Sequence, residues 1–288
     1  MKPFVPILIV TTLLGWRAGA TTTINTANKF SYAANFGWMD WRGDGTNGAL
    51  IGAYVCSGSV YAANVGWINL GSGTPANSIQ YQNNTATDFG VNLLTGGKLR
   101  GYAYGANIGW LNFENTGDPR IDLLTGKFDG YVFSANCGWI SLHTVFALVQ
   151  TDYLQPGQST NGNGLPDAWL LTTTGSLADG PNADTDGDGT TNLEEYLAGT
   201  DPNNPNSVLA ITSYTATPVG ASVISTTLTW KSVMTRYYFI EQSLDLVSWF
   251  DSGLGPITPA GATTTDTFTH VHSPKRFFRV RAMDPLAP

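Results

Sequence analysis

Basic residues are absent from one stretch of this chain. Residues 151–206 carry nine Asp or Glu and no Lys or Arg, and charged residues make up only 12% of the 288-residue sequence. The flanking regions are nearly balanced, with six basic against seven acidic groups over 21–150 and six against five over 207–288. The imbalance is therefore confined to one short segment, where something positive is expected to bind. With no basic patch and a net negative charge, the chain repels phosphate backbones and anionic lipid, so nucleic acid is not an expected partner. Long apolar runs are also lacking. None reaches the roughly 18 residues of a membrane-spanning helix, and no membrane insertion is expected. Histidine is limited to His143, His270 and His272, around which no Ser-His-Asp set or zinc signature can be assembled, and the chain has no phosphate loop. No enzyme is expected on that ground, although two isolated carboxylates suffice for a glycoside hydrolase. Cysteine is limited to Cys56 and Cys137, which allows one disulfide or two buried thiols.

Lys2, the apolar stretch from Phe4 to Leu14 and the small residues Ala18-Gly19-Ala20 have the layout of a secretory signal peptide. The expected product is secreted, extracellular or at the cell surface, and begins near Thr21. Glycine, threonine, asparagine and aromatics are abundant, which favours strands and turns over helices.

Between Lys29 and His143 one motif occurs four times: an aromatic, two residues, Asn, one residue, Gly, Trp. The copies are Tyr32-Ala33-Ala34-Asn35-Phe36-Gly37-Trp38, Tyr61-Ala62-Ala63-Asn64-Val65-Gly66-Trp67, Tyr104-Gly105-Ala106-Asn107-Ile108-Gly109-Trp110 and Phe133-Ser134-Ala135-Asn136-Cys137-Gly138-Trp139. Asn and Gly both tolerate positive φ, so each copy reads as a bend between two strands, a β-hairpin that needs its neighbours to bury its apolar face. Trp38, Trp67, Trp110 and Trp139 are candidate platforms for stacking sugar rings. A Trp recurring beside a fixed bend is more simply a packing element, so the expectation here is that they are core. The repeat resembles modules of the pattern Gly-Tyr-Ala-Trp-x-x-Asn-Ile-Gly-Trp-Ile in large bacterial secreted proteins.

Asp184-Thr185-Asp186-Gly187-Asp188-Gly189-Thr190-Thr191-Asn192-Leu193-Glu194-Glu195 satisfies every defined position of the twelve-residue EF-hand loop. Calcium requires six to eight oxygens. Asp184, Asp186 and Asp188 supply carboxylates, Thr190 its carbonyl, Asn192 a direct or water-mediated contact, and Glu195 two oxygens that close the sphere. Leu193 to Ala198 reads as a short helix ended by Gly199. An upstream echo, with Asn161, Asn163 and Asp167 at corresponding positions, has Ser159 first and Leu170 twelfth. It would hold a second ion weakly if at all. From Asn161 to Ser207 the segment resembles the bacterial calcium modules related to thrombospondin type 3 repeats and dockerins, through Asn163-Gly164-Leu165-Pro166-Asp167-Ala168-Trp169, the complete loop and Glu195-Tyr196-Leu197-Ala198-Gly199-Thr200-Asp201-Pro202. The resemblance implies a calcium-rigidified connector. Dockerin-type pairing would need two well-formed loops and is not carried over.

Beyond Asn206, Leu228-Thr229-Trp230, the run Tyr237 to Ser243 and the alternation of Phe278, Val280 and Ala282 with Arg279 and Arg281 read as strands. They resemble a fibronectin type III-like sandwich, which implies a spacer or adhesive module. A seventh strand is hard to place. The sequence thus predicts a mainly β protein: signal peptide 1–20, aromatic β-repeat domain 21–150, short helical EF-hand-like connector 151–206 and β-sandwich 207–288. The expected function is a secreted modular protein with structural Ca2+ that engages an extracellular polymer or surface protein by adhesion, matrix or glycan binding. The alternative is an accessory or catalytic part of extracellular polysaccharide degradation.

Overall fold

The computed structural model describes residues 22–44 and 46–288, so the expected signal peptide lies outside the described residues. The protein is mainly β. Over the first half, the strands are β1 (Ile24–Ala33), β2 (Gly37–Asp40), β3 (Ala49–Ile51), β4 (Cys56–Ala62), β5 (Gly66–Ser72), β6 (Val91–Leu94), β7 (Lys98–Gly105), β8 (Gly109–Asn112), β9 (Arg120–Ile121), β10 (Phe128–Asp129), β11 (Tyr131–Ser134), β12 (Gly138–Ser141) and β13 (Val149–Thr151). Each motif copy forms one hairpin: β1/β2, β4/β5, β7/β8 and β11/β12.

The four hairpins close on one another. β2 pairs with β4, β5 with β7, β8 with β11, and β12 returns to β1, giving an eight-stranded antiparallel barrel with no free edge among those strands. The seams repeat their register: Asp40 faces Tyr61, Asn69 faces Tyr104, Asn112 faces Phe133 and Ser141 faces Tyr32. Met39, Ile68, Leu111 and Ile140, each following a motif Trp, point into the barrel and are buried. The position after each motif aromatic is small (Ala33, Ala62, Gly105, Ser134) because the narrow end has little room. A Cβ on Gly105 would lie 2.9 Å from Ile108. Phe36 and Ile108 fold over that end and Val65 and Cys137 pack beside them, while Trp41 and Phe128 meet edge to face elsewhere in the core.

The tips differ from the expectation in one respect. Only the motif glycine uses positive φ (Gly37 90°, Gly66 83°, Gly109 72°, Gly138 77°), and the asparagine does not. Asn instead reaches sideways. Asn64 Nδ2 donates to the Phe36 carbonyl at 2.9 Å, Asn107 to Val65 at 3.0 Å, Asn136 to Ile108 at 3.0 Å and Asn35 to Cys137 at 2.9 Å. These four bonds form a ring that ties each tip to its neighbour. The ring also bears on the cysteines. Cys137 lies in the last tip, whereas Cys56 begins β4, whose other end reaches the tips. Six strand residues correspond to about 20 Å, far beyond the roughly 7 Å Cα separation a disulfide allows. The disulfide open in the sequence is excluded within one chain, and both thiols are free. Burial pushes the Cys56 thiol up to about 12.

The connector holds two short helices, α1 (Asp167–Thr173) and α2 (Asn192–Ala198). Beyond it lie β14 (Ile211–Pro218), β15 (Val223–Lys231), β16 (Tyr237–Ser243), β17 (Phe250–Asp251), β18 (Thr263–Val271) and β19 (Phe277–Met283). They form two three-stranded sheets, β14-β15-β18 and β17-β16-β19, with Leu228, Trp230, Tyr238, Ile240 and Phe268 buried between them.

Candidate metal centre and aromatic surface

The acidic loop is shaped by its own carboxylates. Asp184 accepts from the Gly187 and Gly189 amides at 2.8 and 2.9 Å, Asp186 from Asp188 N at 3.2 Å and Asp188 from Thr190 N at 2.6 Å. These short-range bonds use the positive φ of Gly187 (78°) and Gly189 (94°) to turn the chain back on itself. As a result one oxygen from each of Asp184, Asp186 and Asp188 lies within 4.8 Å of the others. α2 then begins with a capping box: Thr191 accepts from Glu194 N, and the Glu194 carboxylate accepts from Thr191 N at 2.8 Å. That start angle places Glu195 inside, with no solvent exposure, and Gly199 ends the helix in the left-handed region.

Three buried oxygens of this loop have no hydrogen-bond partner: Asp186 Oδ2, Asp188 Oδ2 and Glu195 Oε2. Leaving buried carboxylate oxygens unpaired is costly, so their grouping in a loop of this pattern fits a hard divalent cation. Burial, and after it the charges of Asp186 and Asp188, push the Glu195 carboxyl up to about 7. Asn192 Oδ1 accepts from the Thr185 hydroxyl at 2.8 Å and its Nδ2 donates to the Gly180 carbonyl at 3.3 Å. These bonds tie Asn192 to Thr185 within the loop and to Gly180 before it. Thr190 sits at the turn with its amide bound to Asp188, where its carbonyl is the candidate ligand.

The upstream loop is arranged differently. Ser159 Oγ donates to Asn161 Oδ1 and Asn163 Oδ1, both at 3.3 Å, and Asn163 Oδ1 also accepts from Leu165 N at 2.9 Å. The Asp167 carboxylate, fully buried, accepts from Thr160 N at 3.1 and 3.2 Å. The structure therefore brings Asn161, Asn163 and Asp167 into one loop, but the serine hydroxyl and backbone amides satisfy their oxygens. Leu170 is buried where a ligating glutamate would stand. The two halves meet through Trp169 and Tyr196, edge to face at 5.5 Å.

The motif tryptophans are not core, contrary to the expectation from their regular recurrence. Trp38, Trp67, Trp110 and Trp139 are 39 to 48% exposed on the outer wall. Each lies directly across the hairpin from the motif aromatic, at 4.9 Å for Tyr32–Trp38, 5.0 Å for Tyr61–Trp67, 4.9 Å for Tyr104–Trp110 and 5.0 Å for Phe133–Trp139. The signal for this placement was in the sequence. After each Trp comes an apolar residue and then Asp40, Asn69, Asn112 or Ser141, and strict alternation puts Trp on the polar residue's face. Missed altogether were the flanking rings Phe30, Phe89, Tyr102 and Tyr131, which lie against these tryptophans.

His270 lies 2.9 Å from the Thr226 hydroxyl and stacks beside Phe278. Comparison of the chain with protein-family models, curated proteins and solved structures finds no match.

Proposed function

We propose that this is an extracellular attachment protein in which Ca2+ has a structural role and the barrel wall engages a neutral glycan. The observation that carries the reading is the aromatic belt. Four Trp–aromatic pairs repeat at one level around the barrel, each bordered by a neutral amide, a hydroxyl or, once, Asp40. Flat apolar faces beside short hydrogen-bonding side chains suit sugar rings, whose C–H faces stack and whose hydroxyls bond laterally. Neighbouring tryptophans sit two strands apart, about 10 Å along the wall. The wall curves so tightly that a straight polymer can follow two of them but not four. The belt therefore offers several short sites rather than one long groove, which suits cross-linking of a polymer by avidity.

Calcium supports this role without chemistry. When bound at the 184–195 loop the ion would be held by Asp184, Asp186, Asp188, Glu195 and the Thr190 carbonyl, and would neutralise oxygens that otherwise repel one another. The secreted location rests on residues 1–20, and the spacer or adhesive role of 207–288 on its likeness to fibronectin type III strands. No catalytic residue is assigned. The test is retention of the chain from Thr21 on insoluble cellulose, chitin and xylan and on a neutral-glycan array, with Trp67→Ala and Trp110→Ala for comparison. Retention weakened by each single change and abolished by the pair supports the reading. Absence of retention on all of these surfaces overturns the glycan assignment and leaves the belt without its proposed role.

A further inference from the structure

The C-terminal sandwich has an open seam. Strand β14 is exposed along its whole length, on both faces. One of those faces belongs to the core side, because Ile211, Tyr214, Ala216 and Pro218 pair with Trp230, Leu228, Thr226 and Ile224 of β15, and of those partners Trp230, Leu228 and Thr226 are buried. The intervening residues Ser213, Thr215 and Thr217 are polar. β14 is thus an amphipathic strand whose apolar row is left exposed by the described residues, and Tyr214 meets the Phe278 ring at 6.2 Å. Across the seam, β19 is an edge. Among the described residues it pairs with β16 on one side and with no strand on the other.

The residues that follow β19 do not fill the gap. Asp284 to Leu286 leave the sheet toward the barrel, where the Leu286 carbonyl accepts from Leu154 N at 2.8 Å and its side chain is buried against Gly126. Among the described residues, an apolar row without cover and a strand edge without a partner face the same gap and together can accept one more strand.

We propose that this seam binds an extended segment of another protein, which adds to the β19 edge as a fourth strand and covers the core-side row of β14. Backbone pairing would supply affinity, and side chains of alternate residues the selectivity. The required pattern follows from the two faces. Toward β14 the segment must be apolar. On the outer face, Arg279 and Arg281 of β19 share one carboxylate, Glu241, at 2.6 and 3.0 Å, which leaves that row positive. Lys275 and Arg276 precede it in sequence. The occupant is therefore a strand alternating apolar with acidic residues. A second copy of this chain fits poorly, since edge-to-edge pairing of two β19 strands would set arginine rows against each other, and like charges across a ladder destabilise it. The inference is independent of the glycan and calcium readings.

The test uses the full chain from Thr21 and two peptides as long as β19, one alternating Val with Glu and the other Val with Lys. Hydrogen exchange should slow at Phe277–Met283 with the glutamate peptide, and binding should be about tenfold tighter than for the lysine peptide. Arg281→Glu should reverse that order while leaving melting of the barrel unchanged. Absence of protection at β19 with either peptide overturns the proposal, as does equal binding of both. Concentration-dependent dimers with β19 protected in the absence of peptide would also overturn it, by assigning the edge to a second copy.

Discussion

Asn192 and Glu195 stand three residues apart on one short helix and both are fully buried, yet their side chains are bonded differently. Glu195 Oε2 has no hydrogen-bond partner and feels the charges of Asp186 and Asp188, so under the calcium reading proposed above its contribution would depend on the ion. Replacing Glu195 with Gln should leave the metal-free protein as stable as before or more so, because it removes charge from an acidic cluster. The same change should remove most of the calcium-dependent stabilisation, which for a site filled at a hundred times its Kd is about 2.7 kcal/mol. Calorimetric titration and melting with and without calcium measure both. Asn192 is bonded to Thr185 and Gly180 through both amide atoms, so Asn192→Ala should cost about 1–3 kcal/mol equally in calcium and in chelator. A loss seen only in calcium would instead make Asn192 a ligand. The twelve-residue spacing disclosed which residues gather but not how each uses its two oxygens. That division is set by Thr185 and Gly180, whose positions the ligand pattern does not fix.

At the level of elements, the hairpins were legible and their closure was not. Each motif copy contains its own bend, glycine and cross-strand aromatic pair, all local in sequence. The barrel depends on contacts that no single copy contains, such as Asn35 bonding to Cys137 across 102 residues. Breaking that ring by Asn107→Ala should cost about 0.5–1.5 kcal/mol, the net value of one such hydrogen bond, while Gly109→Ala adds strain at φ 72°. Urea unfolding of both variants checks this, and equal stability of Asn107→Ala and the parent would show that the ring is incidental. In the C-terminal sheets the alternation of β19 was readable, but the bareness of β14 was not, because exposure depends on what packs over a strand and not on its own residues. The β16–β19 pair also carries a pH dependence. Burial alone would raise the Glu241 carboxyl, but hydrogen bonds from Arg281 and Arg279 hold it below its ordinary 4.5. A carboxyl depressed in the fold stabilises it above the unfolded value, and the contribution fades as pH falls through the lower folded value. Glu241→Gln should therefore be less stable at neutral pH and lose less on acidification below about 4.5. Parallel acid-melting curves for the two proteins would contradict this.

The whole molecule is joined through the last turn of α2. Arg236, immediately before β16, donates to the Leu197 and Tyr196 carbonyls at 2.9 and 3.0 Å, the groups α2 leaves unpaired at its C-terminus, and lies 3.8 Å from Asp284 just beyond β19. The Tyr237 hydroxyl donates to Leu124 at 3.3 Å, and Leu154 N to Leu286, so barrel, connector and sandwich share one junction. Glu195 sits on the same helix whose end Arg236 holds. Anything that fixes the loop should therefore fix the start of β16 and the end of β19, and by linkage docking of the sandwich should tighten the loop. The expected outcome is that calcium slows amide exchange not only at 184–198 but also at Tyr237 and Met283, which pair at that end of the sheet. In Arg236→Ala the loop should still be protected by calcium while Tyr237 and Met283 no longer respond. Hydrogen exchange in calcium and in chelator decides between a latch and a plain spacer. If Tyr237 and Met283 respond equally in both proteins, coupling runs through the Leu154 and Leu124 contacts instead. If they respond in neither, the ion stabilises its own loop and nothing further.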